Sequence, residues 1–262
     1  MAISLSQLRT TSVLAPPRIV LYGVHGIGKS SFAAGIDPVT KKVVPGHDVV
    51  FIQTEPGLDA LKVQALPLCQ TYEQVVESIT ALYAEEHNHN TVALDSVDWL
   101  EGLIWKRVAA DANVNNIDDI GYGKGFRAAA QYMGDILEGL DALRETKGMQ
   151  VILLAHSITK RFDDPLGEPY DRYKLDLHDQ CASKIAEWCD ILMFTNYQTS
   201  IVKADVGFNK KVARGVGGGN RIMHTQERPG WSAKSRWALP ETIPLSYPVF
   251  EAELAKAMSA TA

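Results

Sequence analysis

Gly23-Val24-His25-Gly26-Ile27-Gly28-Lys29-Ser30 is the stretch on which the reading of this chain turns. It fills every fixed position of G-x-x-x-x-G-K-[ST], a pattern with a physical reason behind each residue. Glycines let backbone N–H groups turn inward around phosphate oxygens, the lysine reaches the β- and γ-phosphates, and the hydroxyl residue ligates Mg²⁺. The flanks suit the motif. Arg18-Ile19-Val20-Leu21-Tyr22 is an apolar, β-prone run, and Ser31-Phe32-Ala33-Ala34 opens a helical pattern whose N-terminus would add partial positive charge. Gly23, Val24, His25, Gly26, Ile27, Gly28, Lys29, Ser30 and Ser31 are therefore the expected nucleotide-binding residues, with Ser30 on the metal. A chance glycine-rich turn is the competing reading, and both flanks argue against it.

The 262 residues suffice for one large α/β domain and leave little room for a second. No apolar run approaches the roughly 18–20 residues that span a bilayer. Met1 to Pro17 lacks the basic start and apolar stretch of a secretory signal, so a cytoplasmic location is expected, with no membrane partner. Cys69, Cys181 and Cys189 are odd in number and widely spaced, which reads as buried thiols rather than a disulfide framework or zinc site. His87 and His89 sit in a polar stretch that reads as a solvated turn. The net charge of −5 argues against indiscriminate nucleic-acid binding. Lys203, Lys210, Lys211, Arg214, Arg221, Arg228, Lys234 and Arg236, however, are opposed over their span only by Asp205 and Glu227. Such a stretch meets the phosphates of nucleotide or DNA, or is simply a solvated face.

Short apolar runs alternate with helical patterns along the chain. Strands are expected at 49–52, 91–94, 150–155 and 191–194, and helices at about 72–86, 99–112, 126–146 and 180–188. That alternation predicts an α/β fold: a mostly parallel central sheet flanked by helices. Ser157 to Asp176 reads as a long polar loop carrying Pro165, Gly167 and Pro169. From Thr199 onward short alternating segments, with turns at Gly215 to Asn220 and at Pro229-Gly230, predict a C-terminal antiparallel hairpin extension. The tail from Glu251 to Met258 has the pattern of a short amphipathic helix. The expected divisions are an N-terminal segment over 1–17 with an oligomerising role, a core over 18–240 and a tail over 241–262.

Three strand ends carry chemistry. Asp95 follows Val92-Ala93-Leu94 and is placed to hold the magnesium ion, the alternative being a helix N-cap. Glu55 follows Phe51-Ile52-Gln53-Thr54 and is the candidate general base for water, against the reading of an exposed loop carboxylate before Pro56-Gly57. His156 closes a third strand, where a polar side chain can contact the γ-phosphate or its attacking water, the alternative being a histidine satisfied within the fold at a strand end. Parallel strands bring their C-terminal ends to one rim, where ligands bind. Glu55, Lys29 and His156 are thus the expected catalytic residues.

In this order, over about residues 18 to 240, these segments resemble the RecA-like recombinase core, and especially the small phage RecA-like proteins of the Sak-type single-strand annealing group. Phe51 to Asp59 resembles the strand ending in the catalytic glutamate, and Leu94-Asp95-Ser96-Val97 the Walker B segment. Gly121-Tyr122-Gly123-Lys124-Gly125 is similar to the first DNA-binding loop, and Ser157 to Asp176 occupies the place of the second. The resemblance implies a RecA-like fold, ATP and Mg²⁺ as ligands, and single-stranded DNA contacts at Lys124, Lys160, Arg161, Arg172 and Lys174, with Tyr170 and Tyr173 interleaved for base stacking. It implies a homo-oligomer, ring or filament, in which Lys234 or Arg236 reaches nucleotide on the adjacent subunit. His156 stands where RecA has a glutamine, and RecA's flanking polymerisation and DNA-gathering segments have no counterpart. ATP-modulated binding or annealing of single strands, rather than full strand exchange, is the implied activity, in the host cytoplasm if the chain is phage-encoded.

Two functions from different classes follow. The first is a single-stranded-DNA-dependent ATPase of phage recombination. The second is a nucleotide-responsive RecA-fold interaction module, hydrolysing slowly or not at all, that orders an assembly or recruits replication or recombination partners, a single-strand DNA-binding or replication protein among them. A small-molecule kinase is a weaker third reading. GTP specificity has no support, since no N-K-x-D motif occurs.

Overall fold

The computed structural model describes residues 15–165, 167–205 and 211–260. β1 (Arg18–Gly23) leads through the glycine loop into a short helix, α1 (Lys29–Ala33). β2 (Val49–Gln53), β3 (Gln64–Ala65), α2 (Tyr72–Ala84), β4 (Thr91–Asp95), α3 (Val97–Asp111) and α4 (Lys124–Lys147) follow. Then come β5 (Gln150–Phe162), β6 (Tyr170–Leu175), α5 (Asp179–Trp188), β7 (Ile191–Asp205) and β8 (Lys211–His224). β9 (Lys234–Ser235), β10 (Thr242–Pro244) and α6 (Tyr247–Ser259) end the described chain.

The strands form one sheet in the order β10-β8-β7-β1-β5-β4-β2-β3. From β7 to β3 every pairing is parallel, and β8 and β10 extend the sheet antiparallel. The α/β fold with a mostly parallel sheet and an antiparallel C-terminal extension is thus present. Period-two alternation explains why the parallel strands look continuously apolar. Val20, Tyr22, Val92, Leu94, Val151 and Leu153 face a core shared with α2, α3, α4 and α5. Their neighbours Ile19, Leu21, Ala93, Ile152 and Leu154 face a second core closed by α1 and α6. The tail expected from 241 contributes to that core: the rings of Tyr247 and Phe250 lie 5.4 and 5.5 Å from Phe32.

At the N-terminal end of β1 the sheet is locked by charge. Buried Asp190 accepts from the Arg18 main-chain N–H at 3.0 Å, from Arg18 Nε at 3.1 Å and Nη2 at 2.9 Å, and from Arg236 Nε at 2.8 Å. The Arg18 guanidinium also lies over the Trp188 ring, 5.3 Å from its centroid.

Two expectations need correction. Ser157 to Asp176 is not a long loop: β5 runs on through Phe162 and pairs antiparallel with β6, so Lys160 faces Arg172 and Phe162 faces Tyr170. The β5 arm carries β-branched Ile158 and Thr159 and aromatic Phe162, and the β6 arm carries Tyr170 and Tyr173, so that Thr159 pairs with Tyr173 and Phe162 with Tyr170; Pro165 and Gly167 mark only the connection. Gly215 to Asn220 is not a turn: it lies within β8, paired to β7 across a bulge at Tyr197/Thr199. Edge pairing through the backbone tolerates its glycines. Residues 1–14, most of the expected oligomerising segment, and Lys210 lie outside the described residues.

Candidate active site

The parallel register sets the rim. Gly23 on β1 stands level with His156 on β5, Asp95 on β4 with Leu154, and Gln53 on β2 with Asp95. Beyond Gln53 the chain is tied to β4: Thr54 N–H donates to the Asp95 carbonyl at 2.8 Å, and Thr54 Oγ1 to the Ser96 carbonyl at 2.6 Å. These bonds aim Glu55 at the same rim. Gly23 is required by packing, because a Cβ there would stand 2.2 Å from the Thr195 carbonyl oxygen. Gly28 adopts φ +109°, a left-handed conformation that favours glycine, at the turn into α1.

Lys29 is 6% exposed, and its ammonium donates to the carbonyls of Gly23 at 3.2 Å and Val24 at 3.1 Å. Burial lowers its pKa, an effect offset in part by Asp95, Asp98 and Glu55. The Ser30 hydroxyl donates to Asp95 Oδ2 at 2.6 Å. Burial raises the pKa of Asp95, opposed by Ser30 and Lys29. These two hard oxygen donors, side by side next to an ammonium, match what Mg²⁺ accepts.

His156 is buried and doubly held by Asp98 in the first turn of α3. Its main-chain N–H donates to Asp98 Oδ1 at 3.0 Å, and Nδ1 lies 2.8 Å from Oδ2. The opposite nitrogen, Nε2, lies 4.0 Å from Glu55 Oε1. Burial alone would raise the pKa of Asp98, but the two His156 bonds outweigh it and hold it below the usual carboxylate range. Burial raises that of Glu55, opposed by His156. His25 of the glycine loop stacks on His156 with ring centroids 3.9 Å apart, and that neighbour, then burial, lowers its pKa. Glu55, Asp95, His156 and Lys29 therefore share one rim.

Asp98 and Arg221 were not singled out as site residues by the sequence. Asp98 is in a helix turn, where an acidic residue ordinarily only favours the helix end. Arg221 comes from β8 and places Nη1 3.0 Å from where a Cβ of Gly28 would stand. It helps line a cavity of about 770 Å³ that begins at Gly28 and Ser31.

The residues expected at DNA are placed as follows. Lys124 opens α4 and is exposed, beside Tyr122, which is 99% exposed at φ +60°. Arg161 is exposed and 3.9 Å from Asp163, while Lys160 reaches Asp179 at 3.5 Å. Lys174 is half-buried on β6. Arg172 is engaged within the fold: it pairs with Glu227, donates to the Trp231 carbonyl at 3.0 Å and lies over the Phe162 ring. Tyr170 packs on Phe162, and Tyr173 stacks on Phe194 at 4.8 Å. Lys234 and Arg236 lie at the start of β7, at the sheet end away from the rim of their own site.

No helix among the described residues is long and apolar enough to cross a membrane. No curated protein matches the chain. Among solved structures, that of the RadB recombinase is similar over 80% of each chain, at 12% identity and a TM-score of 0.41. Residues 15–237, which carry the glycine loop and all four rim residues, match the AAA domain family, and the chain belongs to that family.

Proposed function

We propose that this chain is a Mg²⁺-dependent ATPase of the RecA-like kind whose turnover is coupled to single-stranded DNA, acting in the cytoplasm in phage-type annealing and recombination. The observation that carries the reading is the convergence of Lys29, Asp95, Glu55 and His156 on one rim beside the glycine loop. Bound Mg²⁺, held by Ser30 and Asp95, would neutralise charge on the phosphates. Lys29 exchanges its loop carbonyls for phosphate oxygens. Glu55 takes a proton from water as the water oxygen bonds to the γ-phosphorus; the bond to the β–γ bridging oxygen breaks, leaving ADP and inorganic phosphate. His156 lies between Glu55 and the glycine loop and orients groups on the γ-phosphate side.

The cavity at Gly28 and Ser31 has the chemistry of a nucleoside compartment. Phe32, Leu61 and Leu245 give it apolar walls, Arg221, Lys41 and Lys62 give it cations, and no carboxylate is among its described lining residues. An apolar base joined to anionic phosphates fits such a lining.

Single-stranded DNA is assigned to the surface bearing Tyr122, Lys124, Lys160 and Arg161, where cations track the backbone and an exposed ring stacks on bases. Lys234 and Arg236, remote from their own rim, are assigned to a neighbouring subunit's nucleotide in a ring or filament. The core of this activity is 18–240.

The test is ATP turnover with and without single-stranded DNA on size-fractionated protein. Stimulation by DNA, lost on joint charge reversal of Lys160 and Arg161 with nucleotide binding retained, supports the reading. ATP-dependent assembly without DNA stimulation would instead favour the interaction module.

A further inference from the structure

The geometry points to Asp98 as a positioning residue for the hydrolytic site: it fixes the orientation and tautomer of His156, so that Nε2 is the nitrogen presented to Glu55 and the γ-phosphate. This rests on the hydrolysis reading above and adds to it a residue outside the glycine loop and the strand-end pattern.

Strand lengths create the need for such a residue. β5 continues past His156, whereas its neighbour β4 ends at Asp95, level with Leu154. The His156 N–H therefore has no further ladder acceptor on that side, and an unpaired buried N–H is costly. The chain turns at Ser96 into α3, and Asp98 in its first turn supplies the missing acceptor through Oδ1 at 3.0 Å. The second carboxylate oxygen takes the imidazole Nδ1 at 2.8 Å. An ionised carboxylate only accepts, so Nδ1 must carry the proton and Nε2 is left to face Glu55 at 4.0 Å. The stacked His25 ring closes one face of the imidazole, which leaves it little room to rotate. One carboxylate thus fastens the backbone and the ring together. An amide at the same position could keep the backbone bond through its oxygen, but its NH₂ would face Nδ1 and demand a lone pair there. The tautomer would reverse with the packing almost unchanged.

The experiment is ¹⁵N imidazole spectroscopy of the full chain at pH 8, with the His156 signals assigned by their loss in His156→Gln, combined with ATP binding and turnover. The expected wild-type signature is a protonated Nδ1, moving to a protonated Nε2 in Asp98→Asn. Turnover in Asp98→Asn should fall at least ~10-fold while the ATP dissociation constant is unchanged, since a misoriented acid–base group costs rate rather than binding. In a His156→Gln background, Asp98→Asn should cost nothing further. A wild-type His156 protonated at Nε2 only, a tautomer indifferent to Asp98→Asn, or fully additive losses in the double variant would each overturn the assignment. The wild-type spectrum decides alone if Asp98→Asn does not fold. If the wild type fails to hydrolyse ATP, the hydrolysis reading falls, while the spectra still test how Asp98 holds His156.

Discussion

Replacing Lys29 by methionine separates the stability of the site from its function. The ammonium is buried, and without nucleotide its partners are two loop carbonyls at 3.1 and 3.2 Å. Two charge-assisted bonds contribute about 1.5 kcal/mol each, while burying the charge costs several kcal/mol. Methionine has a similar volume and carries no charge, so the terms nearly cancel and the free protein should change by no more than about 1–2 kcal/mol. Nucleotide-linked stability behaves differently. At 100 times the dissociation constant a ligand adds about 2.7 kcal/mol, which for a chain of this size raises Tm by about 5–10 °C. Thermal unfolding with and without MgATP should show that rise in the wild type and none in Lys29→Met. The pH dependence follows from the lowered pKa of Lys29. Its charge penalises the folded state below the folded pKa, and the penalty is relieved as pH rises through that value towards the unfolded one. The free variant should therefore compare least favourably with wild type at alkaline pH. A MgATP-induced rise retained in Lys29→Met would take Lys29 out of the nucleotide site, and a loss above about 4 kcal/mol in the free variant would mean that its two loop bonds outweigh the cost of burying its charge.

Asp190→Asn should destabilise the protein by about 3 kcal/mol at neutral pH, because it leaves the partly buried Arg18 guanidinium without its main counter-charge. Burial alone would raise the Asp190 pKa, but the Arg18 bonds outweigh it and the net shift is downward. That stability is present above the unfolded carboxylate pKa and lost as pH falls through the folded one, so the Tm gap between wild type and variant should close in acid. Arg221→Ala should weaken ATP binding about tenfold, since a charge-assisted bond contributes about 1.5 kcal/mol or more, while leaving Tm without nucleotide unchanged. Equal affinity in calorimetric titrations would remove Arg221 from the nucleotide site.

The rim was legible because Glu55, Asp95 and His156 each follow a short apolar run, and a parallel sheet must bring the C-terminal ends of such runs together. The glycine loop announced itself through spacing that admits few other uses. Asp98 and Arg221 were not legible in the same way. Asp98 reads locally as a helix-start residue, and its partnership with His156 exists only because β4 stops short of β5. Arg221 joins Gly28 from nearly two hundred residues away, across β7. The β5–β6 hairpin was hidden by Pro165, Gly167 and Pro169, whose turn signals outweighed the alternation on either side. The cations and rings of that segment suggested a DNA-binding loop, yet Arg172 and Tyr173 are fastened to Glu227, Trp231 and Phe194 within the fold. Composition cannot tell a cation that packs from one that reaches outward.

If Glu55 and the glycine loop form one hydrolytic site, ATP turnover must need both the carboxylate and the metal. Phosphate release from ATP, measured with Mg²⁺ or with EDTA for wild type and Glu55→Gln, tests it most directly. Turnover should be Mg²⁺-dependent in the wild type and fall at least ~100-fold in Glu55→Gln, with MgATP still bound. Undiminished release by Glu55→Gln, or wild-type turnover that ignores the metal, would contradict it.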